Sequence, residues 1–397
     1  MKRIVEESSQ NVNSNAGIFL AKQILDAIPS FGKFDSCQPS LKSVACQTYS
    51  NSSIAKAEVA LMTLGKTSFC DIAAHRKDDL FADAVGGAVP TEPTFRQRLG
   101  YLAILPEARQ WVDDANVELL SKVKDFGLVK TAGGERLPVD IDVSVMVNDD
   151  CRKEGVGFTY HRIDGFAPIF ATVGRLGYQL ANKLRPGNQH SQKEFPAFFR
   201  RCIGLARRIH GGKILVRLDS AHDADDTLST GFDLDDEIRR EVEGSGLDFI
   251  TKRNAQRDDE LLPRYSAATW WTNLAEDADT VIRLYHDHAT CEQFHSELKT
   301  DMNVERLPSG DYKTNSLILS LSTLAFNVLR RIGQTAREVE TEGGAKRPER
   351  IRLRTVILNL MYVAAIDGSH GGRKYLRLGR NCHRAKTFQA VFRRLAA

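Results

Sequence analysis

The alternation of hydrophobic and polar positions divides the 397-residue chain into three stretches of different texture. From residue 1 to about 135 the period is that of helices. SIAKAEVALMTLGK is amphipathic, SFCDIAAHRKDDLFADAVGG follows it, and VPTEPTFRQRLGYLAIL completes a helix, turn, helix pattern. The Gly86-Gly87 pair ends the first of these last two helices. Thr91 or Thr94 can cap the second, with Pro93 near its first turn. That second helix presents Thr94, Arg96, Gln97 and Arg98 near its N-terminal end, residue types that suit phosphates and base edges. A plain helical hairpin with one polar face is the competing reading.

From 136 to about 305 strands mix with helices. LPVDIDVSVMV alternates strictly, and GVGFTYHR and APIFATVG follow around IDGF as a hairpin or meander. YQLANKLRPG is a further strand closed by Pro186-Gly187, and EFPAFFRRCIGLARRIHGG is a helix ending in paired glycines. KILVRLDS is continuously apolar through Ile214 to Val216, as a central strand buried on both faces should be. LDDEIRREVEGSG reads as helix, LDFITKRN as strand, and β-like pieces surround Trp270 and Trp271. Tyr285 to Thr300 reads as one long helix. From 306 to 397 the period is helical again: NSLILSLSTLAFNVLRRIG is a buried helix, and the loop TEGGAKRP separates it from the last basic helices.

Composition adds bounds to this outline. Hydrophobic residues make up 42% and charged residues 27%, ordinary for a globular chain, and the length exceeds what one domain needs. There is no apolar run of 18 residues and no apolar core in the opening MKRIVEESSQNVNSN, so neither a membrane span nor a secretory signal is expected. Seven widely spaced cysteines without a CxxC indicate no zinc site and no disulfide framework, only the thiols of a cytoplasmic protein. The net charge of +4 is unevenly placed: residues 346–397 hold thirteen Lys or Arg against Glu349 and Asp367, a net +11, leaving −7 for the remaining 345 residues. A basic, folding terminal segment on a slightly acidic body points to a polyanion partner.

Three acids stand out against the pattern. In VDIDVSV, Asp140, Asp142 and Ser144 share one strand face opposite Val139, Ile141 and Val143. Asp is a poor strand former, so its presence here costs stability. Asp219 closes the apolar strand KILVRLDS, the place where ligands bind in open α/β sheets, although an acid there can equally cap a helix. Asp223, Asp225 and Asp226 read as the acidic first turn of a helix. Tyr285, His288, Glu292, His295 and Lys299 follow at steps of 3, 4, 3 and 4, which places all five on one helix face beside an apolar stripe of Cys291, Phe294, Leu298 and Met302. Clustered carboxylates repel one another, and a pair of divalent cations removes that penalty. Two Mg²⁺ ions about 3.5–4 Å apart can support the attacking and leaving oxygens at a phosphodiester. Neither GxGxxG nor GxxxxGK[ST] competes with this chemistry.

The order D-x-[ST], RxDS, then a Tyr-x2-Arg-x3-Glu-x6-Lys pattern resembles the DDE transposases of bacterial insertion sequences, most nearly the insertion sequence thirteen-eighty family. Asp142 in DIDVS, Asp219 in VRLDS and Glu292 occupy the three acidic positions, with Tyr285 and Lys299 at the signature's Tyr and Lys. Asp142 is taken over Asp140 because Ser144 then completes D-x-[ST]. KLRPGNQHS, VERLPSG, FCDIAAHRKDD and PTEPTFRQRL are also similar to family text, so the resemblance runs over most of the chain.

It implies a helical N-terminal DNA-binding domain (1–135) and an α/β catalytic core of ribonuclease-H-like type (136–305), a mixed sheet flanked by helices with a β-rich insertion at about 251–284. A helical basic C-terminal domain (306–397) follows. Catalysis and metal binding would fall to Asp142, Asp219 and Glu292 with two Mg²⁺, for which Mn²⁺ could substitute. DNA contacts would fall to Tyr285, His288, Lys299, Arg96 and Arg98. The partners implied are double-stranded DNA, as terminal inverted repeats and target, and a second copy in a homodimeric synaptic complex associated with the bacterial nucleoid. The reaction implied is cleavage at the element's ends and transfer of the 3′-hydroxyls into target DNA. A catalytically inactive repressor, or a nuclease without strand transfer, would share these features. The chain departs from the pattern at His288, where the signature has Arg, and at Ala221 and His222 after RxDS.

Overall fold

The alternating run around Asp140 forms the middle of a sheet. The computed structural model describes residues 10–36, 49–149, 152–242, 244–253, 268–344 and 346–396. Contacts group the chain into two compact units, Leu102–Thr300 with Val304–Asn327, and Met1–Tyr101 with Asp301–Asn303 and Val328–Ala397. The first 101 residues and the basic end of the chain therefore fall in the same unit.

The unit that holds the three acids is built on strands Gly134–Val143 (β1), Ile169–Val173 (β2), Tyr178–Lys183 (β3), Lys213–Leu218 (β4), Leu247–Lys252 (β5) and Trp270–Thr272 (β6). Their order is β6-β5-β4-β1-β2-β3, and Val129–Thr131 pairs with the start of β1 as a seventh strand. β4 runs parallel to both β1 and β5, whereas β2, β3 and β6 are antiparallel to their neighbours. Parallel neighbours need long crossovers. Counting the helix Ala108–Leu120 of this unit as α1, the crossover into β4 is the helix Phe195–Ile209 (α2), and the one into β5 is Asp225–Glu241 (α3).

The apolar residues of α2, Phe195, Phe198, Phe199, Cys202, Ile203 and Ala206, fall at helical spacing and are all buried, and the chain turns extended at His210 before Gly211-Gly212. The acidic first turn of α3 is Asp225 and Asp226. On the far side of β3, Asn116 and Asn327 share the Gln179 carbonyl, while Asn182 donates to Leu319 and Thr323. These bonds satisfy buried polar groups where the helix Tyr312–Glu342 begins. Beyond β1 the chain leaves the main sheet. Met146–Val147, Asp164–Phe166 and Gly157–Phe158 form a separate small sheet, so the alternating run predicted as one strand is divided between two.

In the other unit the predicted helices are present over Asn51–Thr63, Asp79–Val85 and Glu92–Ala103. Asp78 caps the second through the Phe81 amide, and Gly86 ends it in the left-handed region. Thr91 precedes the third and its hydroxyl meets that of Thr94 at 2.9 Å. The segment read as all helical at the basic end is not. Ala365–His370 and Arg373–Leu378 form a hairpin that pairs with Val12–Asn13 before the last helix, Ala385–Ala396.

Of the insertion expected at about 251–284, residues 254–267 lie outside the described residues; the end of β5, β6 and the start of the helix Ala278–His286 are what is seen. Cys37, Cys46 and Cys151 also lie outside them, and the other four cysteines are free. Among the described residues no helix is long and apolar enough to cross a membrane.

Candidate active site

Strand register brings two of the acids side by side. Asp140 pairs with Arg217 and Ile141 with Leu218 across the parallel β1–β4 edge. Asp142 and Asp219 are the next residues along each strand, at the carboxyl end of the β1–β4 pair, where Asp142 still pairs with Phe170 of β2. Asp219 also caps a short turn, Ser220–His222, accepting from the Ala221 amide at 3.2 Å, so its two sequence readings coexist. Asp142 keeps one carboxylate oxygen on the Val143 amide at 2.7 Å, and its other lies 3.7 Å from His295 Nδ1.

Asp140, on the same face of β1, has a different environment. Arg217 grips both its oxygens at 2.6 and 2.7 Å, and His288 Nδ1 lies 2.9 Å from the first. Burial alone would push this carboxyl up; the Arg217 guanidinium and His288 outweigh it and hold it at about 2. The same partnership raises His288 above the usual imidazole range against its own burial. Burial raises Asp142 as well, and there the neighbouring Asp219 adds to the effect, with a smaller push from Glu292, so its carboxyl reaches about 6. Asp219 is likewise raised by burial, against the pull of His288 and Lys252. The two aspartates thus differ in their surroundings: Asp140 is hydrogen-bonded to Arg217 and His288, whereas the His288 charge acts on Asp142 without a hydrogen bond.

The long helix predicted from Tyr285 is a chain of short pieces. The α-helix Ala278–His286 passes through a 3₁₀ turn, Asp287–Thr290, into a further helical turn, Cys291–Ser296, and then a π turn, Glu297–Asp301. Its five selected side chains nonetheless converge on the acids. His288 meets Asp140, His295 approaches Asp142, and Lys299 donates to Ser144 Oγ at 2.9 Å and the Val145 carbonyl at 3.1 Å. Tyr285 lies against Trp270 and His288, and its hydroxyl is pushed up to about 12 by burial and by Asp219 and Asp142. Glu292 is exposed and shares with Asp142 the lining of a cleft of ≈ 380 Å³. Cys291, Phe294, Leu298 and Met302 are buried and seat the segment from the other side.

Sequence reasoning named RxDS without assigning Arg217 a task, and it passed over Tyr160. Arg217 also donates to the Leu284 carbonyl at 2.8 Å and so joins β4 to the segment carrying Tyr285. Tyr160, from the small sheet's turn, lines the same cleft, donates to the Val143 carbonyl at 3.2 Å, and is pushed up to about 12 by burial and by Asp142 and Asp219. An aromatic residue at a hairpin tip was the available signal. His222 is fully buried, stacked 4.0 Å from Phe195, and neither ring nitrogen has a hydrogen-bond partner; burial lowers it to about 3.

The residues expected to hold DNA are placed differently from one another. Arg96 is exposed and pairs with Glu92. Arg98 turns to the Tyr49 carbonyl at 3.2 Å and to Asn51. His288 is buried on Asp140, and Lys299 is held by Ser144 and Val145.

One further cluster has metal-ligand composition: Asp140, His288 and Cys291 offer atoms within 4.8 Å of one another. A cation does not fit there. Arg217 already occupies both Asp140 oxygens, and burial keeps the Cys291 thiol protonated. The trio Asp142, Asp219 and Glu292 offers only carboxylate oxygens, the ligand chemistry of a hard divalent ion, but among the described residues it is not a group whose ligand atoms all lie within 4.8 Å of one another.

A mixed sheet with two parallel neighbours beside its central strand, flanked by helices and carrying acids at the strands' carboxyl ends, is consistent with the ribonuclease-H-like core of transposases. The chain belongs to the family described as Transposase DDE domain group 1, whose model matches residues 3–230 and 249–397. No curated protein matches the sequence. Among solved structures the chain is similar to piggyBac transposase in a synaptic complex with hairpin DNA, at 10% identity and a TM-score of 0.43, over 89% of this chain and 83% of that one.

Proposed function

We propose that the protein is the transposase of a bacterial insertion sequence of the thirteen-eighty type, cutting phosphodiester bonds at the element's ends and joining the freed 3′-hydroxyls to target DNA. Asp142, Asp219 and Glu292 are its catalytic and metal-holding residues, and two Mg²⁺ ions, or Mn²⁺ in their place, are its cofactors. The observation that carries this reading is the register of β1 and β4. It sets Asp142 next to Asp219, whose charge adds to burial in raising Asp142, while its strand neighbour Asp140 is paired directly with Arg217 and His288.

Bound Mg²⁺ supplies Lewis acidity at phosphorus and at the attacking oxygen. The chain's own groups do the positioning. Arg217 and Asp140 lock the β1–β4 edge, so the two strand carboxylates keep their spacing. Lys299 ties Ser144 and Val145, next along from Asp142, to the helical segment that carries Glu292. Tyr285 and the exposed Arg96 are the DNA-side groups of this reading, together with Lys299. His288 and Arg98, first expected to join them, act within the protein. The duplex is bound as inverted repeats, two ends being paired by a homodimer.

The test uses the purified chain with duplexes from the termini flanking its gene. Glu292→Ala should keep end binding and lose Mg²⁺-dependent cleavage to the detection limit; equal cleavage by that variant removes the mechanism. Joining of pre-cleaved ends separates a transposase from a nuclease, which yields nicks alone. A repressor would bind the ends and do neither.

A further inference from the structure

The basic end of the chain contains a ribbon that the helical period did not announce. Ala365–His370 pairs with Arg373–Leu378 in register from Ala365↔Leu378 to His370↔Arg373. Ile366 and Ala365 also pair with Val12–Asn13, and the Asp367 amide donates to the Asn11 carbonyl at 3.1 Å, so from Gly368 outward the sheet is two strands wide. Every residue from Gly368 to Tyr375 is exposed. The turn is Gly371-Gly372, at φ 59° and 73°, a left-handed pair that glycine adopts without strain and that two-residue hairpins require. A Cβ at Gly368, Gly371 or Gly372 would meet nothing within 4 Å, so the tip stands in open space.

Charge on this ribbon is sorted by face. Period two places Arg373, Tyr375 and Arg377 together, opposite His370, Gly368 and Ile366 on the paired strand. The Arg377 guanidinium lies 5.7 Å from the Tyr375 ring, consistent with one shared face. The ribbon's single acid, Asp367, alternates to the other face. So does Lys374, which approaches Asp83 at 3.7 Å, and so do Leu376 and Leu378, which line an apolar cleft with Phe388 and Phe392. One face is therefore anchored to the protein, and Tyr375 of the other also reaches that cleft. The other carries two arginines and a histidine with no acid among them, and Arg373 has no side-chain partner among the described residues.

We propose that this ribbon lies in a groove of duplex DNA, its glycine tip close to the base edges and Arg373 and Arg377 on phosphates. The inference rests on the transposase reading and adds to it the element that grips the duplex. The major groove, about 12 Å wide, admits a two-stranded ribbon. The two arginines sit about 13 Å apart along their strand, far enough to meet different phosphates. A tip without Cβ atoms lets backbone approach where side chains would clash.

Binding of the full chain to a short duplex of arbitrary sequence, followed over a salt series, tests it. Arg373→Ala/Arg377→Ala should weaken binding at least tenfold at low salt and make the logarithmic salt slope shallower by about 1.8, two phosphate contacts at about 0.9 each. Arg373→Lys/Arg377→Lys should restore most of the slope. Slope and affinity equal to the wild type in the alanine variant overturn the ribbon's role and leave the transposase reading intact; a wild-type chain that binds no duplex overturns both. Independently of any variant, amide exchange of residues 368–376 in the wild-type chain should slow when duplex is added, and unchanged exchange with binding intact also overturns the inference.

Discussion

Two carboxylates two residues apart on one strand, Asp140 and Asp142, share a face and end in opposite electrostatic surroundings. Around Asp140 the protein supplies its own cations: Arg217 binds both oxygens, His288 adds a third contact, and the carboxyl is held at about 2. Around Asp142 it supplies acids, Asp219 and Glu292, and the carboxyl rises to about 6. Burial acts in the same direction on both, so the difference comes from the neighbours alone. A buried acid with a resident cation holds the fold together. A buried acid among other acids is a cost that only an added cation or a proton removes.

Breaking the satisfied side of the comparison should have the largest effect on folding. Arg217→Met leaves Asp140 without its main counter-ion, and removing one partner of a buried pair costs about 3–5 kcal/mol. Denaturant unfolding at neutral pH measures it, and a loss under about 1 kcal/mol would mean that water reaches Asp140 after all. In the wild type, Asp140's depressed carboxyl contributes stability that is present above the ordinary carboxylate range and is lost as pH falls from about 4 to about 2. This acid limb should be missing from the variant.

The unsatisfied side should behave inversely. Asp142→Asn is expected to abolish cleavage and yet to raise metal-free stability at neutral pH, by up to about 3 kcal/mol for a shift of roughly two pH units. Because Asp142 is raised to about 6, folding loses stability as pH climbs from about 4 to about 6, where the unfolded chain has ionised and the folded one has not, and the penalty stays constant above that. Mg²⁺ should therefore raise the thermal midpoint more at about pH 7.5 than at about pH 5. An asparagine variant less stable than wild type, or a Mg²⁺ effect independent of pH, would contradict this account of the crowded acids.

The smallest effect concerns His222, stacked on Phe195 with neither nitrogen hydrogen-bonded and Nε2 3.8 Å from Asp219 Oδ1. It is neutral in the fold, lowered to about 3, so stability drains away as pH falls below about 6.5 and the unfolded chain takes up a proton. His222→Phe keeps the stacking and removes two unsatisfied polar atoms, for a gain of about 1 kcal/mol and a flatter pH dependence. A destabilised phenylalanine variant would show that the ring nitrogens have partners in solution.

Much of this was legible along the chain. Apolar β4 with its terminal acid, the α2 stripe closed by glycines, and the helical spacing of Tyr285, His288, Glu292, His295 and Lys299 could all be read directly, because burial imposes a period that any window of residues displays. The five side chains still gather near the acids although that helix breaks into α, 3₁₀ and π pieces, with Glu292 exposed and His288 and His295 buried. The hairpin at 365–378 escaped because its outer residues are exposed on both faces, so no apolar alternation marks it; Gly371-Gly372 was the one local sign.

What the amino-acid order determined by itself, then, was the kind of element, which residues would be buried, and which three acids share a pattern similar to that of a known family. What tertiary structure alone decided was which aspartate each cation serves. Asp140 and Asp142 look alike in sequence because both obey the same two-residue period. They differ because parallel pairing with β4 sets Arg217 opposite one and leaves Asp219 beside the other, and an interaction between strands more than seventy residues apart in sequence leaves no mark on either strand's own pattern.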